Sequence, residues 1–532
     1  MEPRVSAKGP ALLQLPVELI LQIWEYMSVA DVLAFRQVCR HIETMLFDPF
    51  CKEFFTERRF SITFKSLKAL IEITKCTRLQ NRLASLTIGL DRLHTAHALP
   101  RFSGDWDSFN HTIPDESFKV ARVDPYKLEA LAREQDFLIS SGKFQAMLCE
   151  ALSNLPPRLE EFVLRDHNVL RKNQRAGMKS VLASYGWSYI LGETGVDFTG
   201  TESHLDAYDD RFVDMVFSAT LLALAQSNIQ IDVLRGDIVH DKVGFSSTAF
   251  TVPRFIDPDI HHVLSNLRSL DLAVSFVQVP LGSYSDRSNS FFKWQTHQVF
   301  SLLEKTPNLV SLRIQSKEQG FFVDGIINWL ATLLDPAQPL RNQAPSLSPI
   351  PHGPKFLMIP QFNHRFECLK ELQLGCMKAP ARIVTKILQC LATSLRRLNL
   401  SKIALCVTSD DDELDNNPSR PNAWSSVFSY MHGSLNLEQL SLSSLEHHTP
   451  SCHRRNGHPV AFIPSNFGIQ SGPTNGLLYV WSHQGSANSI KDFLEELNAK
   501  TIILCRDCKK RNIGYSDAAI NATTLVSWSA GP

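Results

Sequence analysis

"LRRLNL" at residues 395–400 is the short stretch on which the reading of most of this chain turns. Leucine stands at 395, 398 and 400, and Arg397 and Asn399 lie between the last three positions. Because side chains alternate along a strand, Leu398 and Leu400 share one face and Arg397 and Asn399 the other. The same Leu-x-x-Leu-x-Leu spacing returns at Leu267-Leu270-Leu272, Leu309-Leu312-Ile314, Leu369-Leu372-Leu374 and Leu437-Leu440-Leu442. Weaker copies precede them at Leu83-Leu86-Ile88 and Leu159-Phe162-Leu164. Helical spacing fills the intervals, in "HQVFSLLEKTPN" (297–308), "VDGIINWLATLLD" (323–335), "ARIVTKILQCLATS" (381–394) and "AWSSVFSYMHGS" (423–434). Such alternation predicts parallel strands joined by crossover helices.

The residues between the leucines are polar: Ser269 and Asp271, Ser311 and Arg313, Glu371 and Gln373, Arg397 and Asn399, Gln439 and Ser441. A sheet covered on both faces reads as nearly continuous apolar strands, so here one face is predicted to be wet. The pattern resembles a leucine-rich-repeat solenoid, whose helices cover only the outer side. Successive copies from Leu267 are 42, 60, 26 and 42 residues apart, which implies an irregular array. The expected fold class is therefore α/β: a small N-terminal helical domain, then a leucine-rich-repeat-like solenoid of parallel strands, outer helices and long loop insertions. Insertions are expected near 101–125, 168–212, 336–360, 406–422 and 446–476, where turn and breaker residues replace periodicity. The third carries seven prolines, and the fourth holds the acidic "SDDDELDNNPSRP" (409–421).

A different pattern opens the chain in "LLQLPVELILQIWEYMSVADVLAFRQVCR" (12–40). Leu15-Pro16 reads as a helix start, since proline at the first helical position forfeits no hydrogen bond. Leu19, Ile20, Ile23 and Met27 recur at helical spacing and are assigned to one face. Ser28 with Asp31 reads as a capping box. A second helix is expected to carry Val32, Leu33, Phe35, Val38, Cys39, Ile42, Met45 and Leu46, until Asp48-Pro49 interrupts it. Two or three short helices cannot bury so much apolar surface among themselves, at ~1.5–3 kcal/mol for each buried aliphatic side chain. Either the downstream chain or a separate subunit must cover the remainder.

The order "LxxLPxELxxxIxxxM" followed by "DVLxxRxVCR" resembles the F-box, the motif that attaches substrate receptors to the Skp-type adaptor of cullin–RING ubiquitin ligases. Two departures are Met27, where leucine is more usual, and "MLFDPFCKEFF" (45–55), where a tryptophan often stands. The resemblance implies adaptor contacts at Leu15, Pro16, Glu18, Leu19, Ile23, Leu33, Val38, Cys39 and Arg40. Residues 58–90 read as strand, helix, strand and resemble the segment trailing the motif in many fungal F-box proteins. The implied domains are 10–55 (F-box), 56–100 (linker and first strand–helix units) and 101–532 (repeat-like region). The implied role is that of a substrate receptor of an SCF-type ligase, with cullin and RING subunits reached through the adaptor. A protein target would be held at polar strand positions such as Asp271, Arg313, Glu371, Gln373, Arg397, Asn399 and Gln439. A scaffold that uses the adaptor outside any ligase fits the same residues.

Composition narrows the alternatives. Over 532 residues, 54 basic and 54 acidic side chains cancel, and no basic stripe stands out, which argues against nucleic acid as the main partner. The longest apolar run, "MVFSATLLALAQ" (215–226), falls short of the ~20 residues a bilayer span needs, so no membrane is expected. No secretory signal is legible, and eleven scattered cysteines read as reduced thiols, together implying the cytoplasm or nucleus. Phosphate-binding loops, zinc-protease helices and nucleophile elbows are not found, and Cys149 and Cys390 lie in apolar helical patterns, so neither an enzyme nor a cofactor is expected. One cluster keeps a zinc-binding or enzymatic alternative open: "HHTPSCHRRNGH" (447–458) and "CRDC" (505–508) supply His448, Cys452, His453, Cys505 and Cys508 as candidate ligands. Their spacing fits no standard finger.

Overall fold

Three helices come first: α1 (Val17–Glu25), α2 (Val29–Gln37) and α3 (Arg40–Phe54). The structure is a computed structural model that describes residues 15–94, 124–172, 179–181, 184–197, 205, 209–275, 298–299, 301–317, 327, 330, 366–406, 423–448, 458–462 and 480–503. Pro16 caps α1 from an extended conformation (φ −54°, ψ 148°), so it stands just outside the helix and not at its first position. Ser28 caps α2 as expected: its hydroxyl accepts the Asp31 amide at 3.2 Å. That hydroxyl also donates to the Asp31 carboxylate at 2.6 Å, so the acid meets the cap's side chain.

Two expectations about these helices are corrected. The single second helix is in fact two, because Cys39 is extended (φ −160°, ψ 161°) and α3 starts afresh at Arg40. Pro49 does not end α3 but lies within it. A proline inside a helix forfeits one hydrogen bond, here to the Met45 carbonyl. Burial of Leu46, Phe50 and Cys51 on both sides of Pro49 offsets that loss.

The described residues divide into two units, the first comprising Met1–Val243 with Pro253–Val263. After the three helices it holds β1 (Glu57–Ser61), α4 (Phe64–Lys75) and β2 (Ser85–Gly89), the expected strand, helix and strand. Next come α5 (Pro125–Ser140), α6 (Lys143–Ser153), β3 (Arg158–Arg165), β4 (Leu170–Lys172), β5 (Lys179–Val181), α7 (Trp187–Thr194), α8 (Asp210–Ser227), β6 (Gln230–Asp237) and all but the last two residues of α9 (Asp257–Ser265). The strands β1, β2, β3 and β6 pair in parallel in that order. The expected insertion 168–212 is not all loop, since the β4–β5 hairpin and α7 lie inside it.

The second unit comprises Gly244–Val252 and Leu264–Pro532. Its strands β7 (Ser269–Val274), β8 (Ser311–Ser316), β9 (Glu371–Pro380), β10 (Arg397–Cys406) and β11 (Gln439–Ser443) are parallel neighbours. Leu270, Leu312, Leu372, Leu398 and Leu440 align across all five, and all are buried. The described residues 298–299 and 301–304 of the helix expected over 297–308 are helical, and two further expected helices are present, α10 (Ala381–Cys390) and α11 (Ala423–Ser434). In α10 the buried residues Val384, Ile387 and Leu388 form the single stripe that a sheet-covering helix needs.

The far end departs from a purely parallel array. β12 (Glu446–His448) extends the parallel pairing of β10, but β13 (His458–Phe462) runs antiparallel to it. β14 (Val480–Gln484) is antiparallel to β11 and is followed by α12 (Ala487–Lys500) and β15 (Thr501–Ile503). The expected insertion 446–476 therefore contains two strands. Residues 101–123, 336–360 and 407–422 lie outside the described residues, while Pro125 opens α5 and Cys406 closes β10. Of the helix expected over 323–335, only Ile327 and Leu330 are described, both buried. Among the described residues no helix is long and apolar enough to cross a membrane.

Candidate functional site

The first three helices sort their apolar residues into two sets. Ile20, Trp24, Val32, Ile42, Leu46, Phe50 and Cys51 are buried together. The Trp24 and Phe50 rings meet edge to face at 6.4 Å, the Arg36 guanidinium lies 3.5 Å above Phe50, and the Trp24 indole donates to Glu53 at 3.2 Å. A second set is exposed: Val17, Leu19, Ile23, Tyr26, Leu33 and Val38, with Tyr26 at 83% and Val38 at 64%. Leu19, Ile23 and Tyr26 follow at intervals of four and three along α1, so they form one continuous stripe.

The predicted contact residues fall largely on this ledge. Pro16, Glu18, Leu19, Ile23, Leu33, Val38 and Arg40 are exposed, and Leu15 and Cys39 are half-buried. One assignment is corrected: Leu19, Ile20, Ile23 and Met27 do not share a face, because Ile20 points inward with Trp24 while Leu19 and Ile23 point outward. Val17 and Tyr26 are further exposed apolar residues of the ledge that the sequence reading did not single out. The signal was present, since both stand within a helical turn of Leu19 or Ile23. Contiguous exposed apolar residues of this kind are a common feature of interaction surfaces.

Residues 12–55 match the F-box-like family. The match covers less than a tenth of the chain, and no curated protein matches it. F-box domains typically bind Skp-type adaptors. The F-box contacts the chain that follows it: Arg78 pairs with Glu43 at 3.1 Å and lies 4.0 Å above Phe47, and Arg82 pairs with Asp48 at 2.5 Å. Leu79 packs against the F-box core, and only two residues separate α3 from β1.

The predicted target-binding residues share the polar face of the second unit. Asp271, Arg313, Gln373 and Asn399 align in one row across β7 to β10, and Glu371, Arg397 and Gln439 in the next. Neighbouring strands are cross-linked by Arg313–Asp271 and Arg397–Glu371, both at 3.2 Å, and Gln373 donates to Glu371 at 2.6 Å. Asp271, Glu371, Gln373, Asn399 and Gln439 are half-buried, and Arg313 and Arg397 are exposed.

The corresponding face in the first unit is different. Arg235–Glu161 (3.0 Å) and Arg158–Asp232 (2.7 Å) repeat the cross-strand pairing. But Arg59, Thr87 and Val163, at the middle of β1, β2 and β3, are buried. Arg59 donates to Asp91 at 2.6 Å, to Asn168 and to the Arg165 carbonyl at 3.3 Å, and Ser184 donates to Asp91 at 2.9 Å. Gly89 is required beside them, because a Cβ there would lie 2.5 Å from the Asp91 carboxylate. Among the described residues, Asn168 and Ser184 thus fill a surface whose counterpart in the second unit carries half-buried and exposed polar side chains.

Of the zinc candidates, Cys452, His453, Cys505 and Cys508 lie outside the described residues. His448 is engaged on both ring nitrogens, with Lys378 at 3.1 Å and Glu446 at 3.5 Å. Among the described residues no group of three or more His, Cys, Asp or Glu side chains is placed to hold a metal ion.

Beside Lys378, the Cys406 thiol is pushed up to about 11 by burial, and the nearby Lys378 ammonium only partly offsets this. The thiolate is the nucleophile, so Cys406 is a poor one. At pH 8 its alkylation by iodoacetamide should run about 100-fold slower than that of a thiol at the ordinary value, rising tenfold per pH unit up to about 11. Peptide mass spectrometry measures this against a free cysteine-containing peptide in the same solution. The folded chain holds this proton more tightly than the unfolded one, so the associated stability is present below pH 9 and is lost as pH rises to 11.

Proposed function

We propose that this chain is a substrate receptor of an SCF-type cullin–RING ubiquitin ligase. The observation that carries the reading is the ordered F-box whose apolar residues Leu19, Ile23, Tyr26, Leu33 and Val38 face outward. A Skp-type adaptor covers that ledge and links the chain to cullin and RING subunits. The second unit acts as an irregular leucine-rich-repeat-like array, supported by the aligned leucines of β7 to β11 and their polar opposite face. That face holds a protein client. The chain supplies no bond chemistry of its own; it converts a bimolecular encounter between client and loaded ubiquitin carrier into a local one. The reading places it in the cytoplasm or nucleus, where such ligases work.

The test is co-expression with a Skp-type adaptor, followed by size-exclusion chromatography and addition of cullin–RING. A stable complex that then recruits cullin is the expected result. Absence of an adaptor complex overturns the reading, and an adaptor complex that excludes cullin favours an F-box scaffold outside any ligase.

A further inference from the structure

The two ion pairs on the open face of the second unit are asymmetric in depth. Arg313 is 46% exposed and its partner Asp271 is 13% exposed; Arg397 is 48% exposed and Glu371 is 18%. In each pair the carboxylate is recessed and the guanidinium stands out. A guanidinium has five N–H donors in a fixed fork, and among the described residues each of these two has one carboxylate partner at 3.2 Å. The recessed acid holds one side of the fork, and the remainder of the half-exposed guanidinium is open to solvent. Around the pairs the aligned positions are Gln373, Asn399, Ser441 and Gln439, amides and hydroxyls without an apolar anchor.

From this charge arrangement we infer that the occupant of this face is an acidic, extended peptide segment of the client, with two carboxylates meeting Arg313 and Arg397. The inference rests on the reading that this face holds the client. Arg313 and Arg397 are two strands apart and offset by two residues, which sets their Cα atoms about 12 Å apart at ordinary strand spacing and rise. An extended chain covers that distance in about four residues, and positions i and i+4 project to the same side. The segment thus carries Asp or Glu at i and i+4, with the residues between them crossing β9 between Glu371 and Gln373. Carboxylate suits the face better than phosphate. Each fork already touches one acid, and a dianionic group would meet repulsion from Asp271 and Glu371 that a single charge meets less strongly.

An array of ten-residue peptides tests this, with paired Glu at spacings from two to six in a Gly-Ser background, neutral Gln controls and phosphoserine pairs, probed with the full chain. The expected result is a maximum at the i, i+4 Glu pair that falls at least tenfold for the double variant Arg313→Gln, Arg397→Gln. Both sites are exposed, and unchanged thermal unfolding verifies that the variant is folded. A third protein, Asn399→Trp, obstructs the face whatever chemistry it prefers and should also lose the signal. No signal, equal signal from Gln controls, or retention by the double variant overturns the acidic preference. Selection of phosphoserine over Glu overturns the choice of carboxylate. If binding persists in Asn399→Trp, the face itself is not the site; if it is lost there but never depended on acid, the face stands and only its acidic preference falls.

Discussion

A chain carrying Ile23→Lys together with Val38→Lys is expected to lose affinity for a Skp-type adaptor by at least about 100-fold while remaining folded. Both side chains are exposed in the free chain, so their replacement removes no core contact. Exposed substitutions ordinarily shift stability by only about 0.5 kcal/mol either way. Lysine is chosen because both positions lie toward the carboxyl ends of α1 and α2, where the helix dipole favours a cation. In a complex, however, each ammonium would be buried against apolar surface without a partner. Central interface residues commonly cost about 2 kcal/mol or more when disrupted, and two such losses exceed a hundredfold change in dissociation constant. Titration of adaptor by calorimetry reads the affinity, and thermal unfolding reads the fold. Ile20→Lys serves as the contrast: Ile20 is fully buried, so this variant should lose the F-box fold as well as binding. If Ile23→Lys, Val38→Lys binds the adaptor normally, the ledge is not the contact surface.

The second large effect is expected at Arg59→Ala. Arg59 and Asp91 are both buried and paired at 2.6 Å, and Asn168 and Ser184 complete the network. Removing the guanidinium strands the Asp91 carboxylate without its cation. Breaking a buried pair from one side typically costs about 3–5 kcal/mol, more than the pair itself contributes relative to apolar residues of similar size. For a unit of this size the melting temperature should fall by roughly 10 °C. Adding Asp91→Asn should recover part of the loss, because the stranded charge is then gone. Chemical denaturation of the full chain and both variants decides the matter. A loss below about 1 kcal/mol for Arg59→Ala would mean that water reaches the network and that the face of the first unit is not closed.

Much of the strand framework was legible in advance because it is written in a local period. Every Leu-x-x-Leu-x-Leu copy used in the reading coincides with a strand, since alternation places the two final leucines on one face wherever the strand lies. β6 was passed over because its copy is degenerate. Ile231, Leu234 and Gly236 align with Leu159, Phe162 and Leu164, but glycine conceals the last position. The cap at Ser28 was also readable, since it needs only residues three apart. Pro49 misled because a general bias against helix before proline was outweighed by packing around Leu46 and Phe50. The strands β13 to β15 escaped notice because their pairing is antiparallel and their apolar pattern is short, and β12, parallel to β10, because it is only three residues long.

Sequence by itself determined the strands that carry the Leu-x-x-Leu-x-Leu period, which residues of β7 to β11 face inward, and that residues 12–40 carry F-box spacing. These properties follow from periods of about two and 3.6 residues, which act between near neighbours. Only the tertiary structure decided that Ile20 is core while Leu19 is ledge. The two differ by one step of 100° around α1, and the side that faces inward depends on where α3 packs. It likewise decided that Arg59 is buried and Arg397 exposed, although both are arginines in strands. For a long charged side chain the outcome depends on whether a distant partner such as Asp91 or Asn168 arrives to satisfy it, and no local spacing encodes that arrival.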